Sequence, residues 1–272
     1  MIPNILSIAG SDPSGGAGIQ ADIKAISASG GFAMAALTAL TAQNTVGVAG
    51  VHLVPPDFVQ SQIATVFEDV AVAAVKIGMV ATAPIAAAVA DALEAERAAG
   101  RMPPIVLDPV MVASTGARLL DDAAVATITG RLMPLATVLT PNLRELAILA
   151  DAPLAESREA ILAQADRLRA LGAAAVLAKG GHLTGPDSPD LLLDATGSHW
   201  IEAPRTETRN THGTGCSLAS SLATHLGLGL ALPQAAAAAK AFVSRSIAAS
   251  DRLSVGHGHG PIHHFHALES RA

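Results

Sequence analysis

The sequence holds one cysteine, and its setting is chemical. Cys216 closes the run Thr211-His-Gly-Thr-Gly-Cys216, directly ahead of an apolar helical pattern. Gly213 and Gly215 at a helix start leave amide donors and the positive end of the helix dipole exposed, which suits a phosphoryl group or another anion. The same field would lower the thiol pKa and favour the thiolate. A free cysteine is commonly just a small buried hydrophobe, but the glycine-rich helix start argues for a reactive one.

Further polar residues stand at the ends of apolar runs. Thr140-Pro-Asn-Leu-Arg-Glu145 places Asn142 and Glu145 three apart on one face of a helix start. Such a pair can be a simple cap, or it can hold a magnesium ion, which keeps most of its waters and takes few protein ligands. Lys179, in Lys179-Gly-Gly-His182, could reach phosphate oxygens, and Asp108, in Asp108-Pro-Val-Met111, ends another run. These ends and the Cys216 turn imply one polar crevice along an edge of a sheet.

The segment Ala9-Gly-Ser-Asp-Pro-Ser-Gly-Gly-Ala-Gly18 joins a strand to a helix and carries Asp12, with Asp22 beyond it. Gly16, Gly18 and Ala21 match the spacing of a dinucleotide fingerprint, but the turn lies too far beyond its strand. No acid falls between Asp22 and Asp57 to take a ribose, and the loop has no Walker lysine. It reads as flexible backbone at a ligand-binding edge, or as an ordinary glycine-rich connection.

Hydrophobic periodicity supplies the elements that position these residues. Short apolar runs at 4–9, 32–41, 71–77, 105–108, 137–140 and 174–179 alternate with helical patterns near 18–29, 57–68, 84–99, 121–133, 142–149 and 157–171. Continuous apolar strands between amphipathic helices predict an α/β protein on a mostly parallel sheet buried on both faces. Pro84 fits a first helical turn, and Gly100 and Gly172 fit helix stops. Two short strands near 191–194 and 199–203 and helices near 215–226 and 233–250 complete the pattern. Without linker-like composition or an internal repeat, the chain reads as one domain over 1–272. The alanine run 235–239 needs no explanation beyond helix propensity.

Composition excludes several classes. With 50% hydrophobic and 15% charged residues the chain is not disordered, and no clean span of about 20 apolar residues suggests a transmembrane helix. A net charge of -6, five Phe, one Trp and no Tyr disfavour nucleic-acid binding. One cysteine excludes an internal disulfide framework and a multi-cysteine zinc site. Asp12 precedes the first lysine, Lys24, so a basic signal region is missing and a cytoplasmic address is expected. The tail from Gly256 to His266 is rich in histidine, a composition that can bind metal, and reads as a terminal segment docked on the body, not as a catalytic site.

In order, the segments are Ala9 to Asp22, Thr41-Ala-Gln-Asn-Thr45, Lys76-Ile-Gly-Met79, Leu107-Asp-Pro-Val-Met111, Thr140-Pro-Asn142 with Glu145, Lys179-Gly-Gly-His182 and Asn210 to Cys216. This set resembles the hydroxymethylpyrimidine/phosphomethylpyrimidine kinases of thiamine biosynthesis, members of the ribokinase-like superfamily. The Gly-Pro-x-His-His-Phe-His tail is similar to that family too, and the resemblance covers nearly the whole chain.

The resemblance implies a three-layer α/β/α ribokinase-like fold that uses ATP and Mg2+, with a monovalent cation an open question. The reaction it implies is phosphorylation of 4-amino-5-hydroxymethyl-2-methylpyrimidine to the monophosphate and then the diphosphate. Gln43 would contact the aminopyrimidine edge, as a carboxamide can. Asp22 and backbone near Gly10 would complete that pocket, with Met79 as an apolar wall. Cys216 would accept the hydroxymethyl proton, and the amides of Gly213 to Cys216, Gly215 included, would stabilise the transferring phosphoryl group. Asn142, Lys179, Thr211, His212, Gly213 and Thr214 are the expected ATP contacts, and Glu145 with Asp108 the expected metal positions. A homodimer is implied as well. Ser11 and Ser217 stand where relatives often carry Thr, and over 272 residues the thiamine-phosphate synthase domain that some members append is not expected.

Two other readings compete. A pyridoxal kinase of the same superfamily would also phosphorylate a hydroxymethyl arm on a heteroaromatic ring, although Gln43 and Met79 favour the pyrimidine. A non-catalytic ligand-binding protein on the same fold predicts decay of the phosphate loop, yet Gly213, Gly215, Cys216, Lys179 and Glu145 are all present.

Overall fold

The computed structural model describes residues 1–111, 121–181, 183 and 185–268; His182, the last residue of the Lys179 motif, lies outside them. Its strands are β1 (Asn4–Ala9), β2 (Phe32–Leu37), β3 (Ala39–Gln43), β4 (Val48–Leu53), β5 (Val72–Ile77), β6 (Ile105–Leu107), β7 (Val138–Leu139), β8 (Val176–Lys179), β9 (Asp190–Asp194) and β10 (Gly197–Ile201). The helices are α1 (Gly18–Ala28), α2 (Pro56–Asp69), α3 (Ala83–Ala98), α4 (Asp122–Thr127), α5 (Leu143–Leu149), α6 (Arg158–Ala170), α7 (Thr214–Gly227) and α8 (Leu232–Ala248).

Eight strands make one sheet in the order β10-β9-β8-β7-β6-β5-β1-β2. From β2 across to β8 the pairs are parallel, and β9 and β10 add an antiparallel hairpin at the edge. Neighbouring residues of β1 serve opposite faces. Leu6 and Ile8 join the cluster that holds Val59 of α2, Val89 of α3, Leu146 of α5 and Ile161 of α6. Ile5 joins the other, with Ile26 of α1, Leu222 of α7 and Ala239 of α8. Helices therefore cover both faces, and each fully buried Ile or Leu contributes roughly 1.5–3 kcal/mol. The apolar strands and helices read from the sequence match these three layers.

The helix that carries the cysteine is the most enclosed. Every residue of α7 from Ser217 to Thr224 is buried, and most are Ala, Ser or Thr, whose small side chains let α1, α8 and the sheet approach closely. Ala235, Ala236 and Ala239 of the alanine run are fully buried in the same cluster.

Two expectations change. The run 32–41 is not one strand: it breaks at buried Thr38, whose hydroxyl donates to the Met79 carbonyl at 2.7 Å. Beyond it β3 leaves the main sheet and pairs with β4 in a separate antiparallel ribbon. The expected helix at 121–133 is α4 only to Thr127, followed by a π turn at Ile128–Leu132 and a 3-10 turn at Met133–Leu135, where Pro134 lacks the N–H an α-helix needs. Among the described residues no helix is long and apolar enough to cross a membrane.

Candidate active site

The carboxyl ends of β1, β5, β6, β7 and β8, the start of α7 and the β3–β4 ribbon enclose a cavity of about 570 Å³. Open α/β sheets bind ligands at this edge. Gly10, Gln43, Met79, Asp108, Asn142, Glu145, Lys179, Thr211, His212, Gly213, Thr214, Gly215 and Cys216 all line it. Asp22 is the one sequence-selected residue that does not.

Two glycine loops meet at the floor. Gly213 starts α7 in the left-handed region, at φ 78°, and a Cβ there would lie 1.8 Å from the Gly16 carbonyl oxygen. Its glycine is thus demanded by the approach of the two loops. Asp12 binds them together: its carboxylate accepts from Ser14 N–H, Ser14 Oγ and Ala17 N–H, and Oδ2 lies 2.8 Å from His212 Nε2. Burial opposes the charge on Asp12, but His212 and the turn donors hold its pKa at about 2. His212, expected to touch ATP, therefore directs its Nε2 to Asp12 and acts as a brace. The amides of Gly215 and Cys216 have no protein acceptor among the described residues, because a first helical turn lacks one.

Lys179 leaves β8 beneath Gly215, where a Cβ would lie 3.2 Å from its Nζ, so the glycine keeps the ammonium accessible. Its Nζ is 2.8 Å from Asp108 Oδ1, which also accepts from Thr140 Oγ1. Burial opposes its charge, yet Asp108 and Glu145 hold its pKa above the ordinary lysine value. Asn142 and Glu145 form a capping box. Asn142 Oδ1 accepts from the amides of Arg144 and Glu145, and Glu145 Oε2 accepts from Asn142 N–H at 2.8 Å. The cap does not use up the charge. Burial pushes Glu145 up to about 7, with Asp108 adding to it and Lys179 opposing. Two buried carboxylates against one ammonium leave uncompensated negative charge, and such hard oxygens fit a hydrated divalent cation. No cluster of three or more His, Cys, Asp or Glu suited to a metal occurs among the described residues.

Cys216 is partly exposed to the cavity. Burial, with Asp22 and Asp108 adding to it, pushes its thiol up to about 11, against the opposing charge of Lys76 and the Gly18 amide. This corrects the expected thiolate: burial and two carboxylates outweigh the helix dipole. Asp22 is corrected too. It is fully buried behind the wall, its oxygens taken by Lys76 Nζ at 2.9 and 2.8 Å, Ser7 Oγ at 2.6 Å and Ser220 Oγ at 2.8 Å. Lys76 faces the cavity in its place and was missed from the sequence. The signal was available, since a lysine inside a buried apolar strand needs a partner.

On the ribbon side, Gln43 lies beside Thr41, whose hydroxyl donates to the Ser11 carbonyl at 2.8 Å, while Met79 covers Gly10. Val48 and Val51 of β4 add apolar lining that the sequence did not reveal. The opposite end is lined by Asp190, Arg205, Lys240, Val243 and Ile247, also unforeseen. Lys240 pairs with buried Asp190 at 2.9 Å, and Arg205 donates to the carbonyls of Gly181, Leu183, Gly185 and Asp187, ordering the rim. The tail docks on the body as expected, with His263 and His264 buried.

Comparison with known proteins bears on this geometry. The phosphomethylpyrimidine kinase family model matches residues 12–263. The chain is 47% identical to the hydroxymethylpyrimidine/phosphomethylpyrimidine kinase of Escherichia coli K12, over 97% of this chain and 98% of that protein. Among solved structures, an ADP complex of Bacillus subtilis pyridoxal kinase superposes with a TM-score of 0.89 at 30% identity, over 99% of this chain and 100% of that one. The phosphomethylpyrimidine kinase of Clostridium difficile 630 gives 0.79 at 34% identity, over 90% and 99%.

Proposed function

Because the chain belongs to the phosphomethylpyrimidine kinase family, we propose that its cavity moves the γ-phosphoryl group of ATP onto a hydroxymethyl group, within a single domain. The chain is a phosphotransferase of thiamine biosynthesis, and its substrates are 4-amino-5-hydroxymethyl-2-methylpyrimidine and the monophosphate of that alcohol. The observation that carries the mechanism is the convergence of Cys216, the unsatisfied amides at the start of α7 and Lys179 in one crevice.

The pyrimidine lies against the ribbon, with Gln43 on its amine edge and Met79 on its face. ATP extends the other way, its phosphates over Gly213, Thr214 and Gly215, and its base toward Val243 and Ile247. Asp108 and Glu145 would hold magnesium through its waters, and when bound the ion supplies charge neutralisation for phosphate oxygens. Thr211 and Thr214 hold the turn, with Thr214 Oγ1 donating to the Thr211 carbonyl at 2.7 Å. Lys179 and the Gly215 and Cys216 amides stabilise charge on the equatorial oxygens, the larger part of what a protein can offer this reaction.

Cys216 acts as base through its thiolate fraction. As the oxygen of the alcohol bonds to phosphorus its proton becomes acidic and passes to Sγ, and ADP leaves. Lys76 keeps positive charge beside the sulfur and so sustains that fraction. Use of ATP supports a cytoplasmic setting, and the exposed Leu40, Val46 and Leu53 of the ribbon region support a homodimer.

Pyridoxal is the second substrate to weigh, given the 0.89 superposition on a pyridoxal kinase. Measuring kcat/KM for both alcohols separates them. A preference for the aminopyrimidine is expected, and a preference for pyridoxal would overturn the substrate assignment.

A further inference from the structure

The histidine-rich tail takes no part in the chemistry just described, yet it is seated on the machinery. A Cβ on Gly258 would lie 1.9 Å from the Thr45 carbonyl oxygen, and one on Gly260 would lie 2.3 Å from Asn210 Oδ1. The glycines are there for close approach. Gly258 N–H donates to Thr45 Oγ1 at 3.2 Å and His259 N–H to the Thr45 carbonyl at 3.1 Å, just past Gln43. The Gly260 carbonyl accepts from His212 N–H at 3.0 Å, on the phosphate turn. The segment thus bridges the two ends of the reaction.

Beyond this bridge His264 turns inward. It is 4% exposed, and its Nε2 lies 2.8 Å from Oγ of fully buried Ser217, the residue after Cys216. Ser217 Oγ donates its one hydrogen to the Gly213 carbonyl at 2.8 Å, and Ser217 N–H reaches the same oxygen at 2.9 Å. Nε2 must therefore be the donor to Oγ, which fixes the tautomer. Burial, with Lys24, His263 and His266 nearby, pushes the His264 pKa down to about 4, so the ring is neutral at physiological pH. The chain of bonds ends on the carbonyl of Gly213, the left-handed residue that caps α7 just ahead of the Gly215 and Cys216 amides.

We propose that His264 is a positioning residue for phosphoryl transfer, fixing the Gly213 peptide through the hydroxyl of Ser217. The role rests on the α7 turn being the phosphoryl site. It acts at the phosphoryl end and not on ground-state binding of the alcohol, whose contacts lie on the ribbon.

The test is steady-state kinetics of His264 and Ser217 variants with ATP, magnesium and the aminopyrimidine alcohol. His264→Ala should lower kcat about tenfold with KM for the alcohol changed less than about twofold. His264→Gln, which keeps a donor at similar reach, should recover most of the rate, whereas His264→Leu, which only fills the space, should not. Ser217→Ala should reproduce the loss, and the double variant His264→Ala/Ser217→Ala should add little to it, since both act through one chain of bonds. Should His264→Ala fail to fold, the Gln and Leu comparison and Ser217→Ala decide alone. An unchanged kcat, equal rates for Gln and Leu, or fully additive losses would overturn the role. A parent protein that phosphorylates neither the pyrimidine alcohol nor pyridoxal would overturn the kinase reading itself, and the role with it.

Discussion

Replacing Glu145 with glutamine removes a charge and keeps the helix cap, because the amide oxygen can still accept from Asn142 N–H. Glu145 is 3% exposed, and burial, with Asp108 beside it, pushes its pKa from 4.5 up to about 7. A tenfold change in an ionisation constant is about 1.4 kcal/mol, so carrying the ionised carboxylate costs the metal-free fold roughly 3 kcal/mol above pH 7. The folded protein binds this proton more tightly than the unfolded chain does. Its contribution is therefore fully present below pH 4.5 and is lost as pH rises through 7. Urea unfolding of both proteins at pH 5 and pH 8 without metal reads this directly. Between those pH values the parent should lose roughly 2–3 kcal/mol more than Glu145→Gln, and magnesium should restore part of the loss at pH 8 in the parent alone. Phosphorylation should fall in Glu145→Gln and respond weakly to magnesium. Identical pH dependence in the two proteins would refute the uncompensated carboxylate, and an equal magnesium effect would refute its share in the metal site.

Lys76→Met should destabilise the fold by about 3–5 kcal/mol, because it strands the fully buried Asp22 carboxylate. The double variant Lys76→Met/Asp22→Asn should recover most of that in thermal or denaturant unfolding, and in the folded double variant any change in the pH dependence of Cys216 alkylation reads the balance of the two lost charges. Cys216→Ala should lose kcat by about a hundredfold or more with little change in KM. With the thiol pushed up to about 11, kcat/KM of the parent should keep rising with pH beyond 9, and a plateau below pH 8 would contradict a thiolate base.

The strands were legible because a parallel sheet covered on both faces leaves continuous apolar runs such as Ile5 to Ala9. The ribbon was not. Every residue of β4 is exposed, and Gly47 and Gly50 interrupt any pattern, so no hydrophobic run marks it. Strand-end residues such as Lys179 and Asp108 could be placed in one crevice from topology alone, since parallel strands deliver their carboxyl ends to the same edge. What sequence spacing could not show was which polar groups turn toward one another. Asp22 and Lys76 are 54 residues apart yet satisfy each other, and His212 reaches back 200 residues to Asp12. Lys240 shares a helical face with Ala236 and Val243, a position from which a buried ion pair could have been anticipated. The raised thiol of Cys216 comes first from its burial and then from Asp22 and Asp108, which are remote in sequence, and this is why the local helix-start argument pointed the wrong way.

The most direct measurement is the mass of the product formed from 4-amino-5-hydroxymethyl-2-methylpyrimidine with ATP and magnesium. The convergence of Cys216, Lys179 and the α7 amides on one cavity predicts a monophosphate first and a diphosphate after it. Recovery of the alcohol without added phosphate, from folded protein that still binds ATP, would contradict it.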